Sequence, residues 1–274
     1  MSAATGEEAA ARHGGEPHAV HSGMGGMAWL CRREVLRVWK LWTQTVLAPV
    51  VSSILFIVVF GLSLGGRIKE VGGFPYEVYI VPGLIAMAMV QAAYSNSSSS
   101  VFQARSDRYI HDVLSAPMHP WQVNLGFTVG GVARALAIGA GLTILSLPLT
   151  GVGIAEPLVL LAAVLLALVL FSALGTIVGI FAETFDHNTF IANIVILPLA
   201  FLGGSFYSVD SLPAPWREIS HINPVFYVVD AMRHGFLGAS DASPWLSLGV
   251  IAALTVPTYA WSQWLFTSGR RLKP

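Results

Sequence analysis

Residues 157–181 read PLVLLAAVLLALVLFSALGTIVGIF, and this stretch decides the class of the protein. It contains no Asp, Glu, Lys, Arg or His over its whole length. As a helix it would span roughly 37 Å, and about 20 apolar residues suffice to cross the hydrocarbon core of a bilayer. The chain as a whole is 54% hydrophobic and 11% charged, whereas an average soluble protein is roughly 25% charged. The sequence therefore predicts an integral membrane protein.

Five further stretches on either side of this one are apolar enough to cross a bilayer as helices. The six predicted spans are 43–64, 81–102, 123–149, 157–181, 189–207 and 245–266. The second contains the polar run from Ser95 to Ser100, whose hydroxyls can bond to backbone carbonyls or to a neighbouring helix. We therefore predict an all-α integral membrane fold in which residues 43–267 form one transmembrane domain.

The N-terminal region divides into two parts. Residues 1–26 are small, polar and glycine-rich, which predicts a disordered cytosolic tail. Its histidines, His13, His18 and His21, match no common spacing of metal ligands, so we predict no metal site. Residues 27–42 alternate tryptophans and leucines with basic side chains, which is typical of an amphipathic helix in the headgroup layer. The alternative is a positively charged flank of the first span.

The basic residues near the span ends predict the orientation, because cytosolic loops carry an excess of Lys and Arg. One side has nine, namely Arg32, Arg33, Arg37, Lys40, Arg105, Arg108, Arg270, Arg271 and Lys273. The other side has four, namely Arg67, Lys69, Arg217 and Arg233. We therefore predict a cytoplasmic-membrane protein with both termini in the cytosol, including the short C-terminal tail 268–274.

Several function classes are excluded by what the sequence lacks. The 15 basic and 15 acidic residues balance, so no net charge indicates nucleic-acid binding. Cys31 is the single cysteine, which excludes an internal disulfide and zinc sites built on paired cysteines. The chain has no Gly-Lys dipeptide, hence no phosphate-binding loop for ATP, and no nucleophile elbow. We predict that the chain is not an enzyme and that energy comes from a partner.

The loop between the second and third predicted spans is a candidate docking element. Its Arg108, Ile110, Asp112 and Leu114 would form about two turns of an amphipathic helix that Pro117 ends. A short amphipathic helix of this kind suits docking into a groove on a soluble partner. An ordinary connecting loop is the equally supported alternative.

The region after the fifth span is the most informative part of the chain. Gly203 and Gly204 interrupt an apolar run, and the Asn223-Pro224 pair is a turn signal. Residues 227–236 would form another short helix. Because this long connection carries so many apolar and aromatic residues, we predict re-entrant helices that dip into the membrane between spans five and six.

The same region carries a resemblance to a known family. The run FLGGSFYSVDSLP at 201–213, with Asn223-Pro224, Tyr227 and RHGFLG at 233–238, resembles the signature of ABC-2 type transporter permeases. That family includes export permeases for drugs, nodulation oligosaccharides and O-antigen polysaccharides. The basic N-terminal helix, the six spans and the Ser115-Ala-Pro117 loop fit the same resemblance.

The resemblance implies partners and site residues. It implies a homodimer or pseudo-dimer of permeases bound to two ATP-binding subunits, with ATP and Mg held there and no cofactor on this chain. It implies that the loop at 105–116 is the coupling helix. Its docking residues would be Asp107, Arg108, Ile110, Asp112 and Leu114. The implied re-entrant gate segment comprises Pro198, Phe201, Gly203, Gly204, Phe206, Tyr207, Asn223, Pro224, Tyr227, Arg233 and Gly235.

Arg134 is the one ionisable residue that falls clearly inside a predicted span. A buried arginine needs a partner or a route to water. It would either pair with Glu183 or Asp186, or extend its side chain to the cytosolic headgroups. No series of acidic residues crosses the spans, which disfavours a proton-coupled carrier.

Three functions are weighed from the sequence. The leading one is the permease subunit of an ATP-driven exporter of a lipidic or amphiphilic substrate, since the spans offer apolar and aromatic walls. The second is polysaccharide or lipo-oligosaccharide export, with Tyr76, Tyr79, Tyr94 and Phe206 as rings on which sugars stack. The third is an ATP-independent channel, scaffold or secondary carrier.

Overall fold

The computed structural model describes residues 23–66, 68 and 70–272. Its helices are α1 (Gly23–Lys40), α2 (Ala48–Gly65), α3 (Tyr76–Ser106), α4 (Ile110–Ser115), α5 (Pro120–Thr150), α6 (Pro157–Phe181), α7 (Phe185–Ile191), α8 (Leu197–Leu202), α9 (Trp216–Ile222), α10 (Pro224–Leu237) and α11 (Pro244–Ser268). Two π-helical turns, Thr43–Leu47 and Ala192–Ile196, precede α2 and α8. A two-stranded antiparallel hairpin pairs β1 (Glu70–Val71) with β2 (Phe74–Pro75). Most of the predicted tail 1–26 lies outside the described residues.

Within the described part of the chain, six helical segments are long and apolar enough to cross a membrane, so the predicted all-α class and the six predicted spans are confirmed. They are Thr43–Gly61, Tyr76–Ser106, Pro120–Thr150, Pro157–Phe181, Phe185–Leu202 and Pro244–Ser268. The fifth ends five residues before its predicted limit, because Gly204 takes a left-handed φ of 79° directly after the helix. It also begins earlier, where the Thr184 side chain accepts a hydrogen bond from the His187 amide at 3.1 Å.

Helix α3 is the centre of the bundle and packs against α5, α6 and α10. Its polar run is enclosed by protein, with Asn96, Ser97, Ser98 and Ser100 all buried. Part of the run bonds back to its own helix, as in Ser98 Oγ to the Ser95 carbonyl at 3.3 Å. Burial against protein, together with these bonds, explains how so polar a run fits within a spanning helix.

Helix α1 runs alongside the first half of α5. One row of its residues, Leu30, Glu34 and Val38, is buried. Leu30 contacts Gly126 and Glu34 contacts Gly130, so steps of four residues match along both helices. Tryptophans such as Trp29 point outward and stay exposed. The helix predicted for 27–42 is therefore present, while its position in the headgroup layer stays a prediction.

The connection between the fifth and sixth spans is compact. Helix α10 is buried over most of its length and packs on α3, α6 and α11, while α9 is largely exposed. Two helices thus occupy the region for which re-entrant helices are predicted, and their depth in a membrane stays a prediction. At the other end of the bundle Leu272, from the predicted C-terminal tail, packs into the cluster around Phe266.

Candidate transport groove and coupling surface

A groove of about 530 Å³ lies between α2, α3 and α8. One end has apolar walls that include Phe56, Leu84 and Leu197. The other end is polar and adjoins a second cavity of about 240 Å³. Gln91, Ser95 and Arg134 line both cavities. The polar residues that line one or both are Gln44, Ser52, Ser53, Gln91, Ser95, Ser98, Ser99, Asn188, Thr189 and Asn193. The groove is therefore amphipathic along its length.

Arg134 projects from α5 at the polar end of the groove. Its Nε donates a hydrogen bond to the carbonyl oxygen of Thr45 at 2.9 Å, within the π-helical turn before α2. It makes no salt bridge with any described residue. Of the two alternatives for Arg134, pairing with Glu183 or Asp186 is not seen, and both acids lie exposed near the end of α6 and the start of α7. A backbone carbonyl takes their place as partner. Extension of the side chain to the cytosolic headgroups stays a prediction.

Four phenylalanines close the apolar end of the groove. The ring centroids of Phe56 and Phe60 are 5.8 Å apart, and those of Phe60 and Phe206 are 5.1 Å apart. Phe201 stacks on Phe206 with centroids 5.3 Å apart. Phe201 and Phe206, two residues of the predicted gate segment, therefore meet the first span here.

The tyrosines predicted as a sugar-stacking set do not share this space. Tyr76 and Tyr79 are each 3% exposed and Tyr94 is 1% exposed. Tyr94 lines the smaller polar cavity, and Phe206 lines the larger groove. Tyr76, Tyr79 and Tyr94 lie in the buried core of the bundle, and Phe206 packs against the same core. The four rings therefore do not line one common path.

The gate segment makes its sharpest turn at Gly204. Its φ of 79° is a conformation that only glycine adopts at little cost, and a Cβ there would lie 2.9 Å from Val209 Cγ2. Gly203 lies against the first turn of α10. Tyr207, three residues after the turn, donates its hydroxyl to the Leu202 carbonyl at 3.4 Å. The two glycines therefore allow the chain to fold back on itself between α8 and α10.

Asn223 and Pro224 join α9 to α10. The Asn223 amide donates to the Leu199 carbonyl at 2.6 Å, one residue after Pro198 in α8. Its Oδ1 accepts the Val225 amide at 2.9 Å and caps α10, where Pro224 occupies the first position. Tyr227 donates its hydroxyl to the His221 carbonyl at 2.8 Å. This asparagine thus ties the end of the fifth span to the following helix pair.

Arg233 is the best-enclosed cation of the gate segment, with 1% of its side chain exposed. Its Nη2 donates to the Gly204 carbonyl, and its Nη1 lies 4.0 Å from Asp241 Oδ2. The guanidinium carbon is 4.1 Å from the centroid of the Tyr79 ring. Arg233 therefore joins the turn at Gly204, helix α3 and the loop before α11. Gly235, two residues on, packs against Leu160 of α6.

Two aspartates that the sequence analysis did not assign complete this cluster. Asp241 accepts hydrogen bonds from Ser208 Oγ and the Val209 amide, both at 2.9 Å. Asp230 accepts the Asp241 amide at 2.7 Å and Ser247 Oγ at 2.8 Å. In the sequence, Asp230 and Asp241 lie close to Arg233 along the chain. That closeness alone does not predict a contact.

The candidate coupling helix α4 is present, and its inner face differs from the prediction. Ile110 is 1% exposed and Val113 is 8% exposed, because both pack into the cluster formed by α1, α3 and α5. Leu114 is half-buried against the same cluster. The predicted availability of Ile110 for a partner is therefore corrected, since the chain already buries this side chain.

The outer face of the coupling loop is polar. Asp107, Arg108 and Asp112 are exposed. Arg108 has a φ of 61°, in the left-handed region, at the turn between α3 and α4. Helix α4 has only about two turns and three apolar residues. Its sequence therefore does not show which of these side chains packs against the rest of the permease. The surface open to a partner is the charged one.

An open surface groove of about 470 Å³ lies between helix α1 and the coupling loop. The Arg33 guanidinium lies over the Tyr109 ring, with its carbon 4.3 Å from the ring centroid. Burial raises the pKa of the Tyr109 hydroxyl above its usual value, and the neighbouring Arg33 opposes that rise. Trp29 and Asp112 also line this surface groove. The coupling loop is thus attached to α1 as well as to its own spans.

Glu34 is a buried carboxylate of α1 that its sequence context does not reveal. It is 0% exposed, accepts a hydrogen bond from Ser100 Oγ at 2.7 Å and lies 3.3 Å from Arg37 Nη2. Arg37 also donates to Asn96 Oδ1 at 3.2 Å. In the sequence, the basic residues around Glu34 indicate a solvent-exposed face of α1. The structure shows that this side chain is buried because α5 packs against it.

The part of the chain that the structure describes contains no group of three or more His, Cys, Asp or Glu side chains placed to hold a metal ion. The three histidines considered in the sequence analysis, His13, His18 and His21, lie outside that part.

Comparison with known proteins agrees with this architecture. Residues 26–237 match the ABC-2 type transporter family. The chain is 37% identical over 243 residues to the inner membrane transport permease YadH of Escherichia coli (strain K12), a match that covers 88% of this chain and 94% of that protein. It is 25% identical over 235 residues to nodulation protein J of Rhizobium leguminosarum bv. viciae, covering 85% and 91% of the two chains. The chain therefore belongs to the ABC-2 type transporter family, and it is a multi-pass inner membrane permease of the ABC transporter type.

Proposed function

We propose that this permease is the membrane-spanning subunit of an ATP-driven exporter of lipidic or amphiphilic molecules. The amphipathic groove between α2, α3 and α8 carries the proposal, since a polar end and an apolar end suit a molecule with both characters. Two copies of the permease would form a homodimer with their grooves facing each other. Both termini would lie in the cytosol.

Energy would come from two copies of an ATP-binding subunit, which hold the ATP and Mg. Their docking surface on this chain would be the exposed side of α4 and the preceding turn, with Asp107, Arg108 and Asp112. Ile110 and Leu114 would act from the inner side, because their packing against α1 and α5 passes a displacement of α4 to the bundle. The gate segment around Gly204 and Arg233 would close the outer end.

The contacts of α4 give this proposal a mechanical basis. Ile110 and Leu30 belong to one buried cluster, and Leu30 lies against Gly126 of α5. Close-packed side chains transmit displacement because they have no free volume to absorb it. A push on α4 would therefore move α1 and the first half of α5 together. Helix α5 also carries Arg134, so the movement would reach the groove.

The test is co-expression of the permease with any ATP-binding protein that a neighbouring gene encodes, followed by purification of the permease. We expect the two to form a complex whose ATP hydrolysis per ATP-binding subunit changes when the permease is present. Asp112→Arg with Ser115→Arg places two bulky charges on the exposed face of α4. Because each position contributes about 1 kcal/mol and 1.4 kcal/mol is tenfold in affinity, we expect binding to weaken about tenfold or more.

Two variants serve as controls. Glu218→Arg changes an equally exposed helical position on α9 and should leave complex formation unchanged. Ile110→Ser should lower the thermal stability of the permease itself, because it removes a buried side chain. Failure of any ATP-binding protein to co-purify with the unmodified permease would refute the ATP-driven function. Retention of full binding by the α4 double variant would move the docking surface elsewhere.

A further inference from the structure

Arg134 has chemistry that the fold itself leaves unused. Among the described residues that line the groove and the adjoining cavity, it is the only one that carries a charge at neutral pH. Its Nε is bound to the Thr45 carbonyl, while its two terminal nitrogens bond to no described residue. A guanidinium inside a membrane-spanning segment is costly and marks functional sites, because it needs a compensating partner.

The surroundings of Arg134 fit a negatively charged ligand. Gln91, Ser95 and Asn193 offer hydrogen-bonding groups in the same space. The described lining contains no carboxylate that would repel an anion or neutralise the arginine. The planar guanidinium presents paired N–H groups that match the oxygens of phosphate and carboxylate.

The shape of the groove adds a second requirement. From Arg134 it continues between apolar side chains such as Met87, Leu84 and Phe56, and it ends at the phenylalanine cluster. A free inorganic anion would leave this apolar length empty, whereas a hydrocarbon chain would fill it and gain from burial. The groove therefore fits a headgroup at one end and an acyl or alkyl chain at the other.

We propose that the groove binds an amphiphile with a phosphate or carboxylate headgroup, and that Arg134 holds this headgroup. As a statement about the exported cargo this rests on the function proposed above. As a binding site it depends only on the groove and is tested without ATP or transport. Cargo and bulk anionic lipid share this chemistry, so the experiment separates the two sources.

The experiment measures binding of dodecyl phosphate to the full-length permease in nanodiscs of zwitterionic phosphatidylcholine. Dodecyl maltoside and dodecyltrimethylammonium are the neutral and cationic probes with the same chain. We expect dodecyl phosphate to bind at least about tenfold more tightly than either, because only it can form the charge-assisted bidentate contact. Inorganic phosphate alone should bind far more weakly, and equal binding of it would overturn the requirement for a chain.

Variants assign the preference to Arg134. Arg134→Gln should bind dodecyl phosphate no better than dodecyl maltoside, whereas Arg134→Lys should keep part of the preference, because lysine retains the charge but not the bidentate geometry. Arg217→Gln, on exposed α9, is the matched control and should behave as the unmodified chain. Gln91→Glu places a carboxylate in the same groove without removing the contact between Arg134 and Thr45, so it remains informative if Arg134→Gln does not fold. It should abolish the preference for phosphate and leave binding of dodecyl maltoside intact.

Repeating the titration in nanodiscs rich in phosphatidylglycerol separates the two sources. Persistent binding of dodecyl phosphate there supports a single-chain cargo, and complete competition by phosphatidylglycerol overturns the cargo assignment in favour of bulk lipid. Equal affinities for the phosphate and neutral probes, or an unchanged preference in folded Arg134→Gln and in Gln91→Glu, would overturn the site itself. None of these outcomes depends on whether an ATP-binding subunit drives export.

Discussion

Arg233 combines a carbonyl contact, an acidic neighbour and an aromatic ring in a place with almost no access to water. The Gly204 carbonyl, Asp241 and the face of Tyr79 surround its guanidinium. Such a site stabilises a cation only while all partners remain, because a buried charge left without them keeps its full desolvation cost. The turn at Gly204 and the loop at Asp241 therefore depend on this one side chain.

Replacing Arg233 with glutamine should destabilise the permease by about 3 kcal/mol, because Asp241 would lose its cation and Gly204 its donor. The measurement is the midpoint of thermal unfolding in detergent, followed by size-exclusion chromatography. Arg217→Gln, which changes an exposed arginine on α9, should leave the midpoint unchanged. Equal midpoints for both variants would show that the Arg233 cluster does not hold the segment.

The sequence predicts which residues belong to the gate segment, but not which contacts they make. Arg233, Asn223 and Gly204 were singled out from a resemblance and from turn chemistry, and each has a specific position in the structure. Asp241 and Glu34 were not, because they accept hydrogen bonds from Ser208 and Ser100, which lie 33 and 66 positions away in the chain. Arg134 was recognised by its place in an apolar run, yet its backbone partner was not predictable from residue types.

Among the elements, α3 and α6 pack backbone against backbone at two glycines of α6. A Cβ at Gly175 would meet the Tyr94 carbonyl, and one at Gly179 would lie 2.5 Å from the Ser98 carbonyl. Glycines four residues apart let two helix backbones pack closely inside a membrane. The spacing is visible in the sequence, as it is for Gly126 and Gly130, but spacing alone does not say which helix is the partner.

Gly175→Ala should lower the thermal stability of the permease by about 1–3 kcal/mol, because α3 and α6 must separate to admit the methyl group. Gly249→Ala is the matched control on α11, where a Cβ would meet nothing within 4 Å. It should unfold at the same temperature or slightly higher, since alanine favours the helix. Thermal unfolding of both in one detergent decides the matter, and an unchanged midpoint for Gly175→Ala would contradict this account of the interface.

The number of spans was predictable because hydrophobic length is a property of the sequence alone. The side on which a short helix packs against the rest of the chain was not predictable from the sequence. Helix α4 presents three apolar residues over two turns, and its orientation follows from where α1 and α5 lie. The same reason explains why α1, whose pattern is amphipathic, buries a row that includes a carboxylate.

For the whole molecule, nine basic residues at one end against four at the other predict that both termini are cytosolic. In a Cys31→Ser background, cysteines replacing Ala155 or Ala214 should react with an impermeant maleimide in intact cells. Cysteines replacing Asp107 or Arg271 should react only after lysis. All four positions are exposed, so differences in labelling report on the membrane side. Labelling of position 107 with protection of 214 would reverse the topology.

The buried carboxylate of Glu34 also sets an order of events during synthesis. Its partner Ser100 lies 66 residues further along the chain, and Gly130 of α5 follows later still. A ribosome adds roughly 5–20 residues per second, so Glu34 exists for several seconds before either neighbour has been made. Helix α1 cannot take its final place until the third span has left the translocation machinery. Helix α1, the first of the described helices to be synthesised, therefore takes its place only after the third span has been made.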